Sequence, residues 1–236
     1  MPTRPADVTA LLASMLASDP GRPRVTVYDD SDGPTNGERV ELSARVIANW
    51  VSKAANLLQD ELDAGPGTVV ALALPPHWRA AYWALAAWSV GATVDLRPDA
   101  DADVVVTDDP GRTDDAPAAV VVTLAALARS AASPVPAGAV DEARELATHP
   151  DVFDAWDSPA PGDPALVTTG GATSFADLVP EGSPGRWHTG TDDPAAFLRL
   201  LLAAWAGDGS VVLTRGAPDP RTLERRLASE GVTDSA

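Results

Sequence analysis

The residues best suited to chemistry lie between Asp163 and Phe175, which read D-P-A-L-V-T-T-G-G-A-T-S-F. A short apolar run, Ala165 to Val167, leads into small hydroxyl and glycine residues, and Phe175 to Val179 is apolar enough to restart regular structure. That order predicts a strand, a tight loop and then a helix. A loop of this kind turns successive backbone N–H groups toward an anion, with threonine hydroxyls as further donors. It is the one stretch with the parts of a phosphate cradle, and it lacks a cation: no Lys or Arg occurs from Asp163 to Gly185. A phosphate held here would rest on backbone dipoles alone.

Other catalytic patterns do not fill the gap. The three histidines, His77, His149 and His188, are far apart in sequence. His77, after Pro75-Pro76, reads as a surface residue at a helix start, and His188 reads first as an ordinary surface or packing residue, with a hydrogen bond to a ligand as the alternative. No G-x-S-x-G elbow, H-E-x-x-H or Walker A sequence is present, so hydrolase, zincin and NTPase readings have no support. Seven aspartates fall between Asp99 and Asp115 without EF-hand spacing or a nearby histidine, and they read as a solvated acidic rim. No catalytic residue and no metal ligand is assigned.

Composition narrows the class. With 236 residues and 45% apolar content the chain is long enough to bury a core. Cysteine is absent, which excludes disulfides, thiol nucleophiles and Cys-bound metal and fits a reducing compartment. No apolar run approaches the ~18 residues of a membrane span, and Met1 to Leu16 is too weakly apolar for a signal peptide. A soluble, cytoplasmic protein is expected. The net charge is −17, and residues 101–193 contribute most of it, with 17 acidic and 4 basic groups. Nucleic acid and anionic membrane surfaces call for the opposite sign, so neither is an expected partner.

The elements that must position the loop alternate. Helical spacing at Val8, Leu11, Leu12, Met15 and Leu16 is followed by strands at Val25–Tyr28 and Arg39–Leu42, hairpinned across a turn-rich segment. Ser43 then caps a helix to about Leu62. Thr68–Leu74, Ala92–Leu96, Val104–Thr107 and Ala119–Val122 read as buried strands. His77 to Val90 is a helix apolar on most sides, with Trp78, Trp83 and Trp88 five residues apart, which fits buried core. Short helices are expected at Leu124–Ser130 and Asp141–Thr148. Beyond the loop come a short strand at Arg186–His188, a helix opened by Asp193-Pro194, a strand at Ser210–Thr214 and an amphipathic helix at Pro220–Glu230. The sum is an α/β fold with a largely parallel sheet and helices on both faces. A single domain over residues 1–236 is expected, open to division into sub-lobes 1–150 and 151–236.

Four local patterns resemble the N-terminal half of the acyl-adenylate-forming (AMP-dependent synthetase and ligase) superfamily, and within it a bacterial family of short relatives. Ala55-Asn56-Leu57-Leu58 resembles the end of a helix reading A-N-x-L, and Gly65 to Pro75 resembles G-x-G-D-x-V-A-L-x-L-P. Trp83 to Val94 resembles a helix-to-strand stretch ending K-A-G-A-x-x-V, and Leu200 to Leu213 resembles L-L-x-G-x-x-V-V-L. The family's phosphate loop, T-S-G-T-T-G-x-P-K, aligns with Thr168, Thr169 and Gly170. Gly171 and Ala172 stand for its two threonines, Thr173 for its second glycine, Phe175 for its proline and Ala176 for its lysine. The resemblance therefore gives Thr168, Thr169, Gly170, Gly171, Thr173 and Ser174 as a degenerate phosphate loop. Family members continue into an adenine-binding segment, a ribose-binding Asp and a C-terminal domain with the catalytic lysine, and none of these motifs occurs here.

These departures imply a non-catalytic adenylation-fold relative that binds a small ligand or an interaction partner, with no cofactor assigned. The alternative is a minimal or split acyl-CoA-synthetase-like ligase that binds ATP or AMP with Mg and needs a partner for the missing half. A third reading is an assembly protein that uses Trp187, Trp205 and the 77–90 helix, by self-association or with an unknown protein.

Overall fold

The computed structural model describes residues 4–113 and 116–236. Two compact units form, and neither is a single run of chain: one holds residues 1–47, 75–78 and 179–236, the other residues 48–74 and 79–178. The first and last portions of the chain thus share a sheet, which no single cut of the sequence reproduces.

In the first unit, strands β1 (Pro23–Asp30), β2 (Arg39–Ser43), β10 (Arg186–Thr189), β11 (Ser210–Gly216) and β12 (Asp234–Ser235) form a five-stranded sheet in the order β12-β10-β11-β1-β2. All pairs are parallel except the β1–β2 hairpin. Helix α1 (Val8–Ser18) starts where Asp7 accepts the Ala10 N–H at 2.7 Å. Helix α5 (Pro194–Ala206) has the same logic: Asp193 accepts the Ala195 N–H at 2.9 Å, Pro194 occupies the first turn where its missing N–H costs nothing, and Gly207 ends it. Phe197, Leu198, Leu201, Leu202 and Trp205 are buried, and the Trp205 indole donates to the Arg24 carbonyl at 2.9 Å. Helix α6 (Pro220–Glu230) closes on Gly231, whose φ of 63° is the left-handed cap that glycine adopts most readily.

In the second unit, β3 (Val69–Ala73), β4 (Thr93–Asp95), β5 (Val104–Thr107), β6 (Ala118–Val121), β7 (Val140–Asp141), β8 (Pro164–Thr168) and β9 (Gly171–Ser174) form a seven-stranded sheet, ordered β7-β6-β5-β3-β4-β8-β9. It is parallel except for β8–β9. Helix α2 (Ala44–Asn56) runs on into a π-helical turn, Leu57–Glu61, and α3 (Trp78–Ser89) joins β3 to β4. The α/β class and the mostly parallel strands are as the sequence indicated, but they are distributed over two sheets.

Two local expectations are corrected. Leu124–Ser130 is not a helix. Arg79 donates to the Leu124 and Ala125 carbonyls, at 3.4 and 2.9 Å, which are the acceptors a first helical turn would use, and Leu127 stands 92% exposed. His77 is buried, not a surface residue, and its ring lies 5.4 Å from that of Trp78. Trp78, Trp83, Trp88 and Trp205 are all buried, so their indoles are core and not a docking surface. No helix among the described residues is long and apolar enough to cross a membrane.

Candidate functional site at the Pro164–Ser174 hairpin

The candidate phosphate loop is a strand–turn–strand, not the strand–loop–helix that its sequence suggested. β8 and β9 pair antiparallel, with Leu166 opposite Thr173, Val167 opposite Ala172 and Thr168 opposite Gly171. Thr169 and Gly170 alone make the turn. Gly171 follows at φ 123°, a conformation that side chains disfavour, and this lets the chain reverse within two residues. The A-T-S run then continues at strand spacing, and only a three-residue 3₁₀ turn, Phe175–Asp177, follows.

This geometry decides where the donors point. The Thr168 hydroxyl accepts the Gly170 N–H at 3.1 Å and donates to the Gly171 carbonyl at 3.2 Å, closing the turn on itself. The Phe175 and Ala176 N–H groups bond to the Asp163 and Pro161 carbonyls at 3.0 and 2.9 Å. Ser174 Oγ donates to Asp177 Oδ2 at 2.7 Å, so that hydroxyl already serves a carboxylate. Thr169, Gly170 and Gly171 are exposed at the tip, while Thr173 and Ser174 lie along the outer strand. The six candidates are therefore strung along one hairpin. The Gly170 N–H, which a cradle would aim at an anion, is already satisfied.

The sheet supplies what the hairpin lacks on the adjacent strand. Asp95 ends β4 opposite Val167, and the Leu96 N–H donates to the Val167 carbonyl at 3.0 Å. Asp95 is buried and accepts from Arg97 Nε (3.1 and 3.0 Å), Nη2 (2.6 Å) and the Arg97 backbone N–H (2.9 Å). Burial pushes the Asp95 carboxyl up, but the Arg97 hydrogen bonds and charge outweigh it and hold it below its usual value. Sequence reasoning missed Arg97. The signal was present: D-L-R directly after a buried strand places a cation at the carboxyl end of a parallel sheet, where open α/β sheets bind ligands.

The remaining titratable groups are structural or isolated. Arg79, Tyr82 and Glu142 form a buried cluster. Arg79 Nη1 donates to Glu142 Oε1 at 2.7 Å and to the Tyr82 hydroxyl at 3.2 Å, and that hydroxyl donates in turn to Glu142. His188 lies half-buried on β10 with Nε2 3.2 Å from Thr214 Oγ1, and burial holds its pKa below the usual histidine value. It belongs to the first unit and the hairpin to the second. Among the described residues no three His, Asp or Glu side chains are grouped to hold a metal ion.

Comparison with solved structures places the fold. A crystal structure of a Brucella canis acyl-CoA synthetase superposes with a TM-score of 0.72 at 16% identity, over 97% of this chain and 46% of that one. The N-terminal subdomain of Klebsiella oxytoca NpsA gives 0.63 at 16% identity, over 99% and 61%. An amide bond synthetase, McbA from Marinactinospora thermotolerans, gives 0.64 at 18%, over 95% and 47%. The chain has the fold of the N-terminal lobe of adenylate-forming enzymes and spans about half the length of these structures. It is also 37% identical, over 256 aligned positions, to a TIGR03089 family protein of Mycobacterium tuberculosis, with 95% of both chains covered. The chain belongs to the TIGR03089 family. No family model matches it.

Proposed function

We propose that this protein is a non-catalytic relative of the adenylate-forming enzymes, retaining the lobe as a small-ligand-binding or interaction module. The observation that carries this reading is the closed turn of the hairpin: Thr168 occupies the Gly170 N–H, and Ser174 faces Asp177. Adenylation depends on positioning and on charge stabilisation at phosphorus. Thr168, Thr169, Gly170, Gly171, Thr173 and Ser174 offer neither a convergent set of N–H groups nor a cation, and they would hold an anion weakly at most. The test is ATP–pyrophosphate exchange with a panel of carboxylic acids. No exchange is expected above a no-acid control. Exchange that disappears in Thr169→Ala would overturn the reading.

A further inference from the structure

The connection from β4 to β5 is only eight residues, 96–103, and contains no helix. Parallel strands in one sheet are usually joined through about a dozen residues or more, most often a helix laid across the sheet. Here the short crossover leaves a groove of about 420 Å³. Its floor is small: Ala71 and Ala73 on β3, and Val105 opposite Ala71 on β5. Its walls come from Pro98, Ala100 and Ala102 of the crossover and from Ala116 and Pro117. That volume lies within the range of small-ligand sites, ~300–1,000 Å³.

Two guanidinium groups, those of Arg97 and Arg112, line this groove. Arg97 is fixed from below by its fork on buried Asp95, and Arg112 by an Nη2 bond to the Pro98 carbonyl at 3.0 Å. Among the described residues, Arg97 Nη1 and Arg112 Nε and Nη1 make no hydrogen bond to protein. Of the surrounding carboxylates, Asp99 acts electrostatically on Arg97, and three others are hydrogen-bonded within the protein. Asp95 is spent on Arg97, Asp103 accepts the Val69 N–H at 2.8 Å, and Asp109 accepts the Gly111 N–H at 2.9 Å. Asp101 lines the groove, and no hydrogen bond from it to another described residue occurs.

We propose that this groove is a binding site for a small molecule carrying a compact oxyanion, carboxylate or phosphate, held between Arg97 and Arg112 with its apolar part over Ala71, Ala73 and Val105. The Asp95–Arg97 pair is close to neutral, so Arg112 supplies the attraction and Arg97 the oriented donor. Preorganisation of both guanidiniums limits the entropy lost on binding. Asp99, which acts on Arg97, and Asp101, which lines the groove, oppose a bare anion and set an upper limit on its affinity. The proposal supplies the ligand for the module reading above, but its test does not depend on the exchange assay.

The experiment is an amide-resolved NMR titration of the full chain with inorganic phosphate and, separately, acetate. The expected result is saturable shifts at Ala71, Ala73 and Val105 at millimolar concentration, and the tighter probe identifies the preferred oxyanion. Arg112→Gln should weaken binding about fivefold and Asp101→Asn should tighten it about twofold, as expected for single exposed charges. Ala73→Leu fills the floor without touching either arginine and should also weaken binding, which keeps the test valid if Arg112→Gln unfolds. Absence of saturable shifts with both probes, an unchanged affinity in folded Arg112→Gln, or weaker binding in Asp101→Asn would overturn the site. Each of those results would leave a negative exchange assay standing.

Discussion

Arg79 on α3 and Glu142 at the start of the short helix α4 (Glu142–Glu145) meet at 2.7 Å, and both side chains are buried. Burial holds the Glu142 carboxyl above its usual value, and the Arg79 charge and the Tyr82 hydroxyl offset only part of that rise. The same guanidinium also holds the Leu124 and Ala125 carbonyls, so one side chain organises the helix-free stretch after β6. Removing one member of a buried pair strands the other charge at a cost of about 3–5 kcal/mol. Arg79→Met is expected to lower stability by that order in urea denaturation. Arg79→Met with Glu142→Gln should regain part of the loss, because no uncompensated charge then remains. Equal stability of the single and double variants would show that the loop carbonyls, not the ion pair, dominate.

The hairpin turn gives a contrast between adjacent glycines. Gly171 has φ 123° with open space around it, so a Cβ there meets backbone strain and not a clash. Strain of this kind costs about 1–3 kcal/mol. Gly170 is not in the left-handed region, and an added Cβ would lie 3.6 Å from Thr168 Oγ1, an ordinary contact. Gly171→Ala should therefore speed hydrogen exchange along β8 and β9, whereas Gly170→Ala should leave it nearly unchanged. Matching behaviour of the two variants would contradict the turn geometry.

Much of this fold was legible because its local signals agree. Val104–Thr107 reads as a buried strand and is one, and Asp193-Pro194 and Asp219-Pro220 open helices through a capping carboxylate. The hairpin misled because T-T-G-G suits either a phosphate loop or a two-residue reversal, and pairing partners outside the stretch decide between them. β8 is placed by β4, some seventy residues earlier, and no local pattern contains that pairing. Asn56 shows the same limit. Its place in A-N-L-L marked a family resemblance, but its physical role became visible only with its partners.

That role yields a further prediction. Lys53, Asn56 and Gln59 project from successive turns and grip the chain at 147–156 through its backbone. Asn56 Nδ2 donates to the Pro150 and Val152 carbonyls at 3.1 and 2.9 Å, and Gln59 accepts the Trp156 N–H at 2.9 Å. Lys53 Nζ donates to the Ala147 carbonyl at 3.2 Å. Val152 and Trp156 contribute little, being 79% and 70% exposed, while Asp151 adds an ion pair to Lys53 at 2.7 Å and His149 lies 3.2 Å from Glu61. Asn56→Ala should cost about 1–3 kcal/mol through the stranded carbonyls. Limited proteolysis should then cut between 150 and 157, and unaltered protection would mean that Lys53 and Gln59 suffice.

His188 provides a pH test with a defined sign. Burial favours the neutral imidazole in the folded state, so its folded pKa lies below the ordinary 6.5. The unfolded chain therefore binds the proton more readily, and stability rises with pH wherever this difference is populated. His188's contribution is fully present above about pH 6.5 and is lost as pH falls through its lower folded value. Urea midpoints of the native chain should drop between about pH 7.5 and pH 5.5, and His188→Asn should flatten that drop. An amide in place of the ring keeps a partner for the Thr214 hydroxyl 3.2 Å away and removes the titration. The same slope in both proteins would show that His188 exchanges its proton freely in the folded state, and the burial argument would fail.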